Sequence, residues 1–263
     1  MPNGFSIFTG AIGALLRHPH VVLQITLVLF LINLAIEAWD LRNYITYAPT
    51  GFSTVLLTLA NWALVSIVAV SWHRFVLRDE HPHGLFPHGR AGLWFRYFIS
   101  WFVLGIVAGL ITVAVGFVFF MLFNLLAPFA QSATGLWFQL LEGGSGQGYG
   151  FIALAACVLG WVFLYALFRL GMGLPHLAAY GDNLAMGASL ARTRPLRGAI
   201  AVTAALASLG QAGLLSAMML PYAFVTPSAQ DLYLALVFQV ALYVIMVLCG
   251  AALLTRIYQA SEP

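Results

Sequence analysis

Six long apolar runs constrain this chain more than any other feature. They fall at about residues 21–39, 52–72, 97–126, 151–170, 198–220 and 232–254, and a helix crosses the hydrocarbon of a bilayer in roughly 20 such residues. Of the 263 residues, 62% are hydrophobic and only 7% charged, against roughly 25% charged in an average soluble domain. Such a chain cannot cover a water-facing surface. The expected fold is all-α, a single polytopic membrane domain over residues 1–263 with six transmembrane helices. The third run exceeds one crossing and is expected to tilt or to extend beyond the membrane.

Charge placement sets the expected orientation. All eleven basic residues are arginine. With the N-terminus inside, the inner segments hold Arg17, Arg74, Arg78, Arg90, Arg96, Arg169, Arg192, Arg194, Arg197 and Arg256, and the outer loops only Arg42. The eight acids divide evenly, giving +6 inside and −3 outside, and so the net +3 of the chain. This positive-inside excess predicts that both termini are cytoplasmic. Arg74, Arg78, Arg90, Arg96, Arg169, Arg192, Arg194 and Arg197 are read as topology determinants at the lipid headgroups. The second, fourth and sixth spans end in HRFVL, FRLGM and TRIYQ. An arginine snorkelling at each helix end is preferred over a trace of three stacked hairpins.

Ahead of the first span, Phe5, Phe8, Ile12, Leu15 and Leu16 recur at helical spacing opposite Ser6, Thr9, Gly10 and Gly13. This predicts a short amphipathic helix lying in the membrane interface, ended by Pro19. The basic start of a secretory signal is lacking. Lipid tails are as apolar as leucine, so spanning helices associate where small residues let their backbones approach. The expected packing stripes are Gly105, Gly109 and Gly116 in the third span, with a GxxxG pair, and Ala201, Ala205, Ser208 and Ala212 in the fifth. A shorter one, Ala153, Cys157 and Gly160, marks the fourth.

Several function classes are excluded. The arginines come in ones and twos and form no basic face for nucleic acid. The ionisable group nearest the membrane interior is Glu37, read as reaching the outer headgroups, which argues against an ion-coupled transporter. HExxH, GxSxG, GxxxxGK[ST] and CxxC are all absent, so no catalytic residue, cofactor or metal is expected. Cys157 and Cys249 are read as small buried residues.

Residues 71–90, SWHRFVLRDEHPHGLFPHGR, hold four histidines. A zinc or nickel shell would use His81 and His83 with His88, or with His18 and His20. The preferred reading is a Pro- and Gly-rich hairpin between the second and third spans, with His73 and Arg74 capping a helix at the headgroups.

SWHRFVLRDEHP, FRLGMGLPHLAAYGDNLAMGASLARTRPLRG and LLTRIYQ together resemble a group of six-span bacterial inner-membrane proteins of unassigned function. That group is related to the membrane domain that precedes some glycerophosphodiester phosphodiesterases. Arg169, Pro175 and residues 181–194 carry the resemblance most specifically. It implies a helical bundle with an amphipathic N-terminal segment and no catalytic residues. The expected function is a non-catalytic accessory, scaffold or assembly subunit of a larger complex in the bacterial inner membrane. It would contact lipids and a membrane-protein partner, with Trp137 and Phe138 of the outer segment GLWFQLLEGG as candidate partner contacts. The alternative is a carrier or channel for an uncharged or lipidic solute, and a lipid-modifying enzyme comes third.

Overall fold

A computed structural model describes residues 2–45, 51–82, 91–133, 148–182, 184–224 and 229–262. Among them the secondary structure is entirely helical: α1 (Gly4–Arg17), α2 (Pro19–Ile45), α3 (Gly51–Arg78), α4 (Ala91–Ala133), α5 (Gly148–Leu170), α6 (Gly173–Tyr180), α7 (Met186–Thr193), α8 (Arg197–Phe224) and α9 (Ala229–Ser261). Four helical stretches are long and apolar enough to cross a membrane: Pro19–Trp39, Val55–Arg78, Ala91–Leu122 and Tyr233–Ser261. A fifth arises if α5 and α6, bent by 42° at their junction, form one span. By length and composition this is a membrane-embedded helical protein. The described part of α8, in the fifth predicted span, is not among those stretches.

The spanning helices expose many large apolar groups, as a bilayer permits. In α2 the stripe Leu23, Leu27 and Leu31 points outward, while Thr26 and Asn33 are buried. Asn33 donates to Asn61 Oδ1 at 2.9 Å, and Asn61 donates to the Tyr243 hydroxyl at 3.1 Å. Side-chain amides thus join α2, α3 and α9 where water cannot compete, a recurrent adhesive between membrane helices.

Small-residue packing is found between α5 and α8, the most extensive helix pair. Ser208 is buried and donates to the Cys157 carbonyl at 2.7 Å. A Cβ added at Gly160 would stand 2.8 Å from Ser208 Oγ, too close to fit unmoved. Trp161 Nε1 donates to the Ala201 carbonyl at 3.0 Å, and Ala205 and Ala212 are half-buried. Gly116 also packs on α5, since a Cβ there would lie 3.2 Å from Leu159 Cδ2.

The GxxxG pair behaves differently. A Cβ at Gly105 or Gly109 would meet nothing within 4 Å among the described residues, so these glycines do not pack α4 into its own bundle as expected. Their helix is 43 residues long, about 65 Å at 1.5 Å per residue, twice the roughly 30 Å hydrocarbon thickness. Over residues 110–122 all but Thr112 and Gly116 are exposed.

The N-terminal helix also departs from expectation. Asn3 caps it, its Oδ1 accepting from Ser6 N at 2.7 Å, and Pro19 starts α2 at a position where a missing N–H is harmless. The face turned inward is Gly4, Ile7, Ala11 and Ala14, whereas Phe5 and Leu16 are exposed. This narrow face lets α1 nest against α8 and α9. Thr203 Oγ1 donates to the Gly4 carbonyl at 3.1 Å, and a Cβ on Gly4 would collide with the Ala199 carbonyl oxygen. Gly4→Ala is therefore expected to lower stability in detergent by about 1–3 kcal/mol through overpacking against backbone. Gly109→Leu is expected to leave stability unchanged. Thermal unfolding of both variants beside the parent checks the pair, and the reverse ranking would contradict this account of the two glycines.

Candidate functional site

Polar side chains converge where α3 and α9 end and α6 and α7 lie, the arginine-rich end of the bundle. His73, near the end of α3, is fully buried between the Thr255 hydroxyl at 2.8 Å and the Tyr97 hydroxyl at 3.0 Å. Counting hydrogens assigns the network. Thr255 spends its only proton on the Ala251 carbonyl, 2.8 Å away, so it accepts from His73 Nδ1–H, and Tyr97 donates to His73 Nε2. A neutral imidazole satisfies the whole chain of bonds and ties α3, α4 and α9 together.

Arg74 is buried as well, not at the headgroups as expected. Its Nε and Nη2 donate to the Glu80 carboxylate at 2.8 and 2.7 Å, and its Nη1 donates to the Ala178 carbonyl of α6 at 2.8 Å. Glu80 comes back onto the helix it has just left because Asp79 adopts a left-handed conformation, with φ of 54°. Asp79 N then donates to Phe75 O, the bond of an αL helix stop, and Glu80 N donates to Arg74 O.

The remaining arginines divide by environment. Arg169 is half-buried and lies 3.4 Å from both Thr193 Oγ1 and the Leu190 carbonyl, long contacts that hold α7 against α5. Arg78 lies over the Tyr180 ring at 5.6 Å and only 3.9 Å from Glu80. Arg96, Arg194 and Arg197 are exposed, and Arg192 is half-buried. Arg90, Trp137 and Phe138 lie outside the described residues.

The metal alternative has partial geometry to report. His18 and His81 both set their rings against Phe75, at centroid distances of 5.0 and 5.5 Å. Among the described residues no three histidine, cysteine or acidic side chains converge. His83 and His88 lie outside those residues.

Two hollows flank this region. A groove of about 350 Å³ is lined by His176, Tyr180, Arg192, Tyr258 and Glu262. His176 Nδ1 lies 2.9 Å from the Tyr258 hydroxyl. A crevice of about 180 Å³ between α2 and α3 has Gln24 and Ser71 at one depth and Val28, Leu29 and Leu64 further along. Gln24 closes its polar end by donating to the Pro82 carbonyl at 2.7 Å. The groove residues come from the neighbouring helices α6 and α7 and from the distant end of α9, and the sequence alone did not bring them together. Its clue was the recurrence of HRFVL and TRIYQ, whose His73 and Thr255 meet in space.

The Gly171 turn aims α6 at this site. A Cβ at Gly173 would approach the Leu184 carbonyl oxygen to 2.9 Å, so the chain passes close to itself there. Pro175 sits in the first turn of α6, where no N–H is needed. Gly181, with φ of 82°, ends the helix.

No protein-family model, curated protein or solved structure matches this chain.

Proposed function

We propose that this chain is a non-catalytic, six-span protein of a bacterial inner membrane, with both termini cytoplasmic, that serves as a subunit of a larger membrane complex. The observation that carries this reading is α4. A Cβ at its Gly105 or Gly109 would meet no described part of the chain within 4 Å, and such an open small-residue face suits a partner's transmembrane helix at close backbone distance. The His73 and Arg74 networks support a structural rather than catalytic arginine-rich end, since their hydrogen-bonding groups are occupied by neighbouring helices. The second reading, a carrier for a lipidic solute, is favoured by the crevice between α2 and α3, polar at one end and apolar at the other.

The orientation is tested by thiol labelling of intact cells, in a chain freed of Cys157 and Cys249. A cysteine at Ser145 should react with an impermeant reagent and one at Gly84 should not; the opposite labelling would invert the topology. The subunit role is tested by purification from the native membrane in mild detergent. A stoichiometric membrane partner should accompany the parent chain and be lost from the Gly105→Leu, Gly109→Leu variant. A parent chain that purifies alone with a bound small solute would instead favour the carrier.

A further inference from the structure

The groove at the arginine-rich end holds opposite charges that do not neutralise each other. Arg192 and Glu262 both lie beside the Tyr258 hydroxyl, yet they form no salt bridge with each other, unlike Arg74 and Glu80. The contrast with Arg74 matters, because that arginine engages its carboxylate with two nitrogens and is closed to any ligand. Arg192 and Glu262 instead share one groove with the aromatic rings of Tyr180 and Tyr258 and with the His176 imidazole.

A guanidinium prefers a phosphate oxygen, and a carboxylate beside aromatic faces prefers an ammonium. The volume of about 350 Å³ lies within the range of small-ligand sites. We propose that this groove binds a zwitterionic phosphate ester bearing a primary amine, the chemistry of an aminophospholipid headgroup. Arg192 holds the phosphate and Glu262 the ammonium. The inference needs only a membrane-embedded chain and stands apart from any partner at α4.

Native mass spectrometry of the protein in a neutral detergent tests it, with phosphatidylethanolamine and phosphatidylglycerol added at equal concentration. Both lipids carry the phosphate, and only the first carries the ammonium. The parent chain should retain phosphatidylethanolamine about tenfold more strongly, the size of one charge-assisted contact. Glu262→Gln should abolish the preference while keeping phospholipid binding, and Arg192→Gln should weaken retention of both lipids. Unfolding temperatures measured without added lipid show whether each variant keeps its fold; should Arg192→Gln lose it, the exposed Glu262 carries the test. Free phosphoethanolamine distinguishes the sources: full competition at equal concentration assigns the site to a soluble ester, and no competition assigns it to the lipid. Equal retention of the two lipids by the parent chain, or an undiminished preference in folded Glu262→Gln, would overturn the proposal.

Discussion

Replacing Glu80 with alanine is expected to lower the unfolding free energy in detergent by about 3 kcal/mol, because it strands a buried guanidinium without its counter-charge. The Arg74 side chain is 5% exposed and that of Glu80 27%, so the two halves of the pair are not equivalent. Arg74→Met leaves a carboxylate that can turn to water, and its effect should be smaller than that of Glu80→Ala. The double variant Arg74→Met, Glu80→Leu should recover part of the loss, since apolar replacement of both partners removes the buried charge together with its pair. Unfolding of the three variants, followed by circular dichroism, measures the ranking. A Glu80→Ala variant as stable as the parent would mean that Arg74 is solvated after all.

The second large effect is expected at His73. His73→Leu keeps much of the volume but leaves the Tyr97 hydroxyl buried without a partner, at a cost of about 2 kcal/mol. Thr255 is spared, because its own proton remains on Ala251 O. Adding Tyr97→Phe should therefore restore most of the lost stability, as removal of both partners of a buried bond is nearly neutral. If the double variant were as unstable as the sum of the singles, the hydrogen-bond assignment at His73 would be wrong.

These two residues show where the sequence was legible and where it was not. Apolar length translates directly into a spanning helix, so α2, α3, α4 and α9 were readable from residues 21–39, 52–72, 97–126 and 232–254. Arg74, one turn before the end of α3, was read as a headgroup contact because arginine at a span end so often is one. What reverses that reading is local: the left-handed Asp79 folds Glu80 back by six residues. At α1 the helix was legible from its period, but it was read as lying in the membrane interface with its large apolar residues on one face, and the face it turns to the bundle was not legible. Among apolar neighbours the small residues turn inward, so the stripe of Gly4, Ile7, Ala11 and Ala14 follows from the rule already applied to Ser208. That rule identifies a face fit for close approach without naming what approaches it. Ser208 meets α5, whereas a Cβ at Gly109 would meet no described atom within 4 Å.

The groove was illegible for a different reason. His176, Arg192, Tyr258 and Glu262 are unremarkable one at a time, and only the bend of 42° between α5 and α6 and the return of α9 bring them together. No spacing in a single segment encodes that.

The central claim is that the α4 face at Gly105 and Gly109 receives a transmembrane helix from another protein. A photo-crosslinking amino acid placed at Gly109 in cells tests it most directly, with Leu209, an exposed residue of α8, as the control position. The account predicts one discrete protein adduct from position 109 and none of comparable yield from position 209. Lipid adducts alone at both positions would contradict it.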